Sequence, residues 1–113
     1  MSARHGELVE ATIAYLFALG HYPFPVPNRG VKIRDKRTGE DKWIRGKMQA
    51  GVADVIAAHC HGRGIACEIK ITPDTLRPDQ LRFKAEVERR GWLFYEVRDD
   101  TQTLLDAHKR GEV

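Results

Sequence analysis

Two short stretches of this chain carry charged residues inside apolar runs. Gly51-Val52-Ala53-Asp54-Val55-Ile56 holds one aspartate, and Cys67-Glu68-Ile69-Lys70-Ile71 holds an acid and a lysine two residues apart. On a β-strand, alternate side chains share a face. Glu68 and Lys70 therefore point one way, and Cys67, Ile69 and Ile71 the other. If the two strands pair, Asp54 sits beside Glu68. Two carboxylates and an ammonium then converge, a grouping that can hold a divalent cation and polarise a phosphate beside it, as metal-assisted phosphodiester hydrolysis requires. Buried acids are costly unless paired or bound to metal. The competing account of Asp54 and Glu68 is thus a salt bridge to Lys70.

The elements around these stretches read as one compact α/β unit. Glu7 to Leu19 has Leu8, Ala11, Thr12, Tyr15, Leu16 and Leu19 near the helical period, and Gly20 is a good stop. Pro23, Pro25 and Pro27 force an extended path, as a connection or an edge strand. Val31-Lys32-Ile33-Arg34 and Lys42-Trp43-Ile44-Arg45, with Thr38-Gly39 between them, predict a protruding basic hairpin. Val52–Ala57 and Ile65–Ile71 are the next strands, joined through a tight reversal at Gly62 and Gly64. Thr72–Arg77 is a loop. Pro78 opens a helix that runs to about Arg90 and stops at Gly91. Trp92–Val97 is aromatic and β-prone, which predicts an inner strand. Thr101–Arg110 closes the chain as a helix capped by Asp99 or Asp100. Tyr15, Phe17, Phe83, Trp92 and Phe94 are expected in the core, and Trp43 either packs in the hairpin or stacks on a base.

The chain has 113 residues, the size of one domain, with 42% hydrophobic and 31% charged residues. No apolar run approaches the roughly 20 residues of a membrane span, and the start lacks the basic-then-apolar order of a secretory signal. Two cysteines imply no disulfide framework. The expected setting is cytoplasmic, in a bacterial or phage-infected host cell. Net charge is +3, but Arg29 to Lys47 carries Arg29, Lys32, Arg34, Lys36, Arg37, Lys42, Arg45 and Lys47 against three acids. That segment is net +5 and the remainder −2. Such a field suits a polyanion; the alternative is a solvated hairpin that happens to be basic.

His59-Cys60-His61, with Cys67 nearby, offers zinc-ligand types. The spacing matches no standard structural site, and adjacent residues on a strand point apart. The expectation is a polar hairpin tip with Cys67 packed in the core.

The residues Gly51-x-x-Asp54, Glu68-Ile69-Lys70, Gln80 early in the next helix and Gly91-Trp92 on the return strand appear in order. With a Glu-bearing first helix and Asn28-Arg29-Gly30, this set resembles the VRR-NUC family of restriction-endonuclease-like nucleases, over roughly Glu7 to Leu105. Two positions depart from the family pattern. Arg77 stands where the family has a Ser or Thr cap, and cannot accept the orphan N–H bonds. Glu7 lies closer to the helix-ending glycine than the family's glutamate; His5 is nearer that spacing, and Glu10 lies one turn later.

The resemblance implies a mixed β-sheet flanked by helices, in the order α-β-β-β-α-β-α, as one domain over residues 1–113. It implies Mg²⁺ or Mn²⁺ held by Asp54, Glu68 and the Ile69 carbonyl, with Glu7 acting through water. Lys70 would contact the scissile phosphate or orient the attacking water. Gln80 would orient that water or brace Lys70, and Lys84, one turn further along the helix, would touch a phosphate; both also read as ordinary surface residues. Arg29, Lys32, Arg34, Lys36, Arg37 and Lys47 would hold the DNA backbone. Stand-alone members of this length look like homodimers that cut branched DNA, which implies a structure-selective endonuclease such as a Holliday-junction resolvase. The alternative from another class is a non-catalytic nucleic-acid-binding module that keeps the fold; a zinc-stabilised interaction domain is a third.

Overall fold

The computed structural model describes residues 3–27, 31–44 and 51–113. Three helices and six strands follow in the order α1 (Ala3–Ala18), β1 (Tyr22–Pro25), β2 (Val31–Arg34), β3 (Asp41–Ile44), β4 (Val55–Ala58), β5 (Gly64–Lys70), α2 (Pro78–Arg89), β6 (Leu93–Arg98) and α3 (Gln102–Lys109). β2 and β3 form their own antiparallel hairpin. The other four strands make one mixed sheet in the order β1-β4-β5-β6, with β5 and β6 parallel and the remaining pairs antiparallel. Without the hairpin, the chain follows the expected α-β-β-β-α-β-α order.

β5 is buried on both faces, and its period-2 alternation divides the core. Ile65, Cys67 and Ile69 face a cluster built with Leu8 and Leu16 of α1 and Leu104 and Ala107 of α3. Ala66 faces the other way, into a cluster with Ala53, Phe94, Phe83 and Val87 under α2. Glu68 and Lys70 share the parity of Ala66, so they rise toward α2.

α1 ends where Gly20 takes φ +93°, with Gly20 N–H donating to Phe17 O and His21 N–H to Leu16 O. This closure satisfies the last carbonyls and needs a residue free of Cβ strain. β1 is an edge strand despite its prolines. Val26 N–H donates to Asp54 O at 2.9 Å, so the backbone of even-numbered residues faces β4. Pro23 and Pro25 occupy the outward places, where a missing N–H costs no ladder bond.

Three expectations are corrected. β6 is an edge of the sheet, not an inner strand; its apolar run reflects cover by α2 on one face and α3 on the other. Phe17 is 67% exposed, because its neighbour Leu16 takes the core position and Phe17 lies about 100° further round the helix. Finally, β4 starts at Val55, so Asp54 precedes the strand. Its carboxylate takes the Ile69 N–H at 2.9 Å and stands in for a backbone partner there.

Candidate active site

The end of β5 and the start of β4 bring Asp54 and Glu68 together. Val55 pairs with Cys67, so one step further along each strand Asp54 stands opposite Glu68. Asp54 Oδ2 accepts from Ile69 N–H. In an extended strand the carbonyl leaves on the same side as the N–H of its residue, so the Ile69 carbonyl also emerges toward Asp54.

Glu68 is 3% exposed and Lys70 8%. Lys70 Nζ lies 3.9 Å from Glu68 Oε1, too long for a tight ion pair. Gln80 Nε2 donates to the same oxygen at 2.9 Å. The second oxygen, Oε2, is buried with no hydrogen-bond partner among the described residues. Burial pushes the Glu68 pKa up to about 8. The adjacent Asp54 charge adds to the shift, as does a hydrogen bond to Asp54 that only the protonated acid can donate. Lys70 and Arg77 oppose the rise.

Gln80 reaches this cluster because α2 begins over the sheet. Its Oε1 accepts Arg77 N–H at 2.9 Å, while Asp79 Oδ1 accepts Gln80 N–H at 3.0 Å. Asp79 thus serves the helix start where the Arg77 side chain offers no acceptor. Gly51 fixes the approach from the other side. It has φ +87°, and a Cβ there would lie 2.3 Å from the Asp79 carbonyl oxygen. Only glycine lets the segment leading to Asp54 press so closely on the first turn of α2.

The remaining expected residues divide. Glu7 is exposed and lines a depression with Arg4, Leu8, Asp99 and Asp100, to which neither Asp54 nor Glu68 contributes. His5 takes the place beside them, with Nε2 3.6 Å from Asp54 Oδ2. Positions two apart on a helix differ by about 200°, so one face cannot present both. The spacing from Gly20 had pointed at His5, but its residue type had not. Glu10 is exposed. Gln80 braces Glu68 rather than Lys70. Lys84 pairs with Glu88 at 3.0 Å and lies 5.9 Å from the centre of the Phe94 ring. Arg34, Lys36 and Arg37 are exposed on the hairpin. Arg29 and Lys47 lie outside the described residues, as do the side chains of Lys32 and Trp43.

In comparisons with known proteins, no family model and no curated protein matches the chain. Among the described residues no helix is long and apolar enough to cross a membrane.

Proposed function

We propose that this chain is a divalent-metal-dependent nuclease of the restriction-endonuclease-like kind, acting on branched DNA. The observation that carries the reading is the buried Glu68 carboxyl. One of its oxygens has no donor among the described residues, the other is held by Gln80, and a second carboxylate stands beside it. Without a cation this pair of acids is accommodated by keeping Glu68 protonated and hydrogen-bonded to Asp54, because two adjacent buried carboxylates do not both ionise cheaply. A hard divalent cation would displace that proton and let both carboxylates ionise. The donors are all oxygens: Asp54, Glu68 and the Ile69 carbonyl. They suit Mg²⁺ or Mn²⁺ over softer metals.

When bound, the cation would polarise the phosphate and stabilise the leaving oxygen. The protein's own groups do the rest. Lys70, buried beside Glu68, supplies a positive charge to the scissile phosphate and offsets charge developing in the transition state. Gln80 holds Glu68 in position and His5 flanks Asp54, both acting on the acids rather than on the substrate. The exposed basic hairpin gives affinity for the phosphate backbone without reading sequence. Paired cuts in a symmetric junction need two such sites, which a two-fold pair of chains supplies.

The test is a cleavage panel of single-stranded, duplex, flap and four-way-junction DNA with Mg²⁺, Mn²⁺ or a chelator. Metal-dependent cleavage, strongest on a branched substrate, is the expected result. Binding without cleavage under every metal condition would instead favour a non-catalytic nucleic-acid-binding module.

A further inference from the structure

We propose that His21, His59 and Cys60 form a zinc site that ties the α1–β1 junction to the β4–β5 turn. It lies at the far end of β4 from the carboxylates. Asp54 and His59 flank that strand, about 16 Å apart at the rise of an extended chain.

One ligand atom from each of His21, His59 and Cys60 lies within 4.8 Å of the others. A tetrahedral ion with bonds of about 2.0–2.3 Å sets its donors roughly 3.3–3.8 Å apart, so each atom needs to move inward by only about 1 Å or less. The two imidazoles already approach each other, with ring centres 4.3 Å apart, and Cys60 Sγ lies 3.9 Å from His59 Nδ1.

The tautomers suit ligation. His59 Nε2 faces the Glu112 carbonyl oxygen at 2.9 Å. A carbonyl only accepts, so Nε2 carries the proton and Nδ1 keeps its lone pair. A backbone carbonyl on the remote nitrogen is a common support for a metal-bound histidine. Cys60 N–H donates to His21 Nδ1 and His61 N–H to His59 Nδ1, so both lone pairs converge on the turn that bears the thiol. On binding, the Cys60 thiol loses its proton to solvent and the two N–H groups give up those lone pairs. Cys60 and His61 are exposed, so water can take the freed N–H groups. A fourth position is left to solvent.

His21 is the buried member of the set, 4% exposed. Its Nδ1 accepts Cys60 N–H at 3.1 Å, so Nε2 carries the proton of the neutral ring and Nδ1 holds the lone pair that ligation would use. The argument that adjacent residues point apart holds for a strand, but Cys60 lies in a turn, and the third donor comes from a residue distant in sequence.

The experiment uses untagged full-length protein, stripped with chelator and titrated with Zn²⁺ and with Co²⁺. Expected are one equivalent of zinc retained after dialysis, a rise in melting temperature, and a thiolate-to-Co²⁺ charge-transfer band in the near ultraviolet. Cys60→Ser, a near-isosteric change at an exposed position, should abolish that band and weaken zinc binding at least tenfold. His59→Gln should weaken binding similarly. Asp54→Asn should leave stoichiometry and spectrum unchanged. No retained metal at micromolar Zn²⁺, a cobalt spectrum that survives Cys60→Ser, or absence of the metal from Asp54→Asn would each overturn the proposal.

Discussion

The Gln80 carboxamide bonds the first turn of α2 to Glu68 on β5, Nε2 to Oε1 at 2.9 Å, while its own oxygen closes the helix start on Arg77 N–H. One side chain thus couples a helix cap to a buried acid. Any change in how α2 begins is felt at the carboxylate, and any charge on the carboxylate is felt at the cap.

Asp54→Asn and Glu68→Gln should each reduce cleavage by about 100-fold or more, because metal-assisted stabilisation is worth several kcal/mol and about 1.4 kcal/mol is tenfold in rate. Both variants should fold. Without metal they should melt at or above the parent temperature, since one of two adjacent acids has gone. Circular dichroism melts alongside single-turnover cleavage check both halves; undiminished activity in either variant at millimolar Mg²⁺ would remove the metal assignment.

Lys70→Ala should lose most activity and keep metal-dependent DNA binding. Gln80→Ala should keep more activity and bind metal about 10- to 100-fold more weakly, as is typical when the support of a ligand is removed. Metal titrations of cleavage rate separate the two. A greater fall in maximal rate for Gln80→Ala would reverse the roles.

Glu68 titrates near 8 in the fold against an ordinary value near 4.5. Between those values the native state holds a proton that the unfolded chain has released. The stabilising contribution is therefore full below about 4.5 and lost as pH rises through about 8. Metal-free melting temperature should fall across that window, and Glu68→Gln should flatten the fall. Affinity for Mg²⁺ should rise over the same range, because the cation competes with the proton. A parent melting profile that matches Glu68→Gln at every pH would contradict this.

Replacing Lys32, Arg34, Lys36 and Arg37 with Ala should weaken DNA binding equally for all sequences. The slope of log affinity against log salt should flatten by roughly 0.9 for each duplex phosphate that the protein no longer neutralises. An unchanged slope would mean that the hairpin is only solvated and the DNA lies elsewhere.

Gly51→Ala places a Cβ against the Asp79 backbone in a positive-φ conformation. The cost should be about 2–4 kcal/mol, the sum of backbone strain and overpacking. Because the same close approach sets Asp54 near the start of α2, activity should fall more than melting alone explains. Denaturant melts and cleavage at a temperature well below the transition test this.

That Glu68 and Lys70 share a face was legible in the sequence because strand alternation has a fixed period of two; that Asp54 stands beside Glu68 depended on the pairing of β4 with β5, which alternation alone does not decide. The core order of helices and strands was legible for similar reasons. The third partner was not. A helix turns about 100° per residue, so deciding between His5 and Glu7 needs the helix phase as well as its existence. The place of β6 at the edge was hidden because an apolar run reports cover by helices, not the number of paired neighbours. His21 joins His59 and Cys60 only through tertiary structure, which no local pattern encodes.

The prolines of β1 have a consequence for assembly. With Pro23 and Pro25 in the outward places, this rim of the sheet offers carbonyl oxygens at those positions and no matching donors. An incoming strand would find half a ladder. The open border therefore resists templated growth into fibres or strand-swapped pairs, although Tyr22 and Phe24 stand exposed along it. Among the described residues, a second copy that docks here finds backbone acceptors but no donors at Pro23 and Pro25, and so depends for the rest of its contact on side chains such as Tyr22 and Phe24.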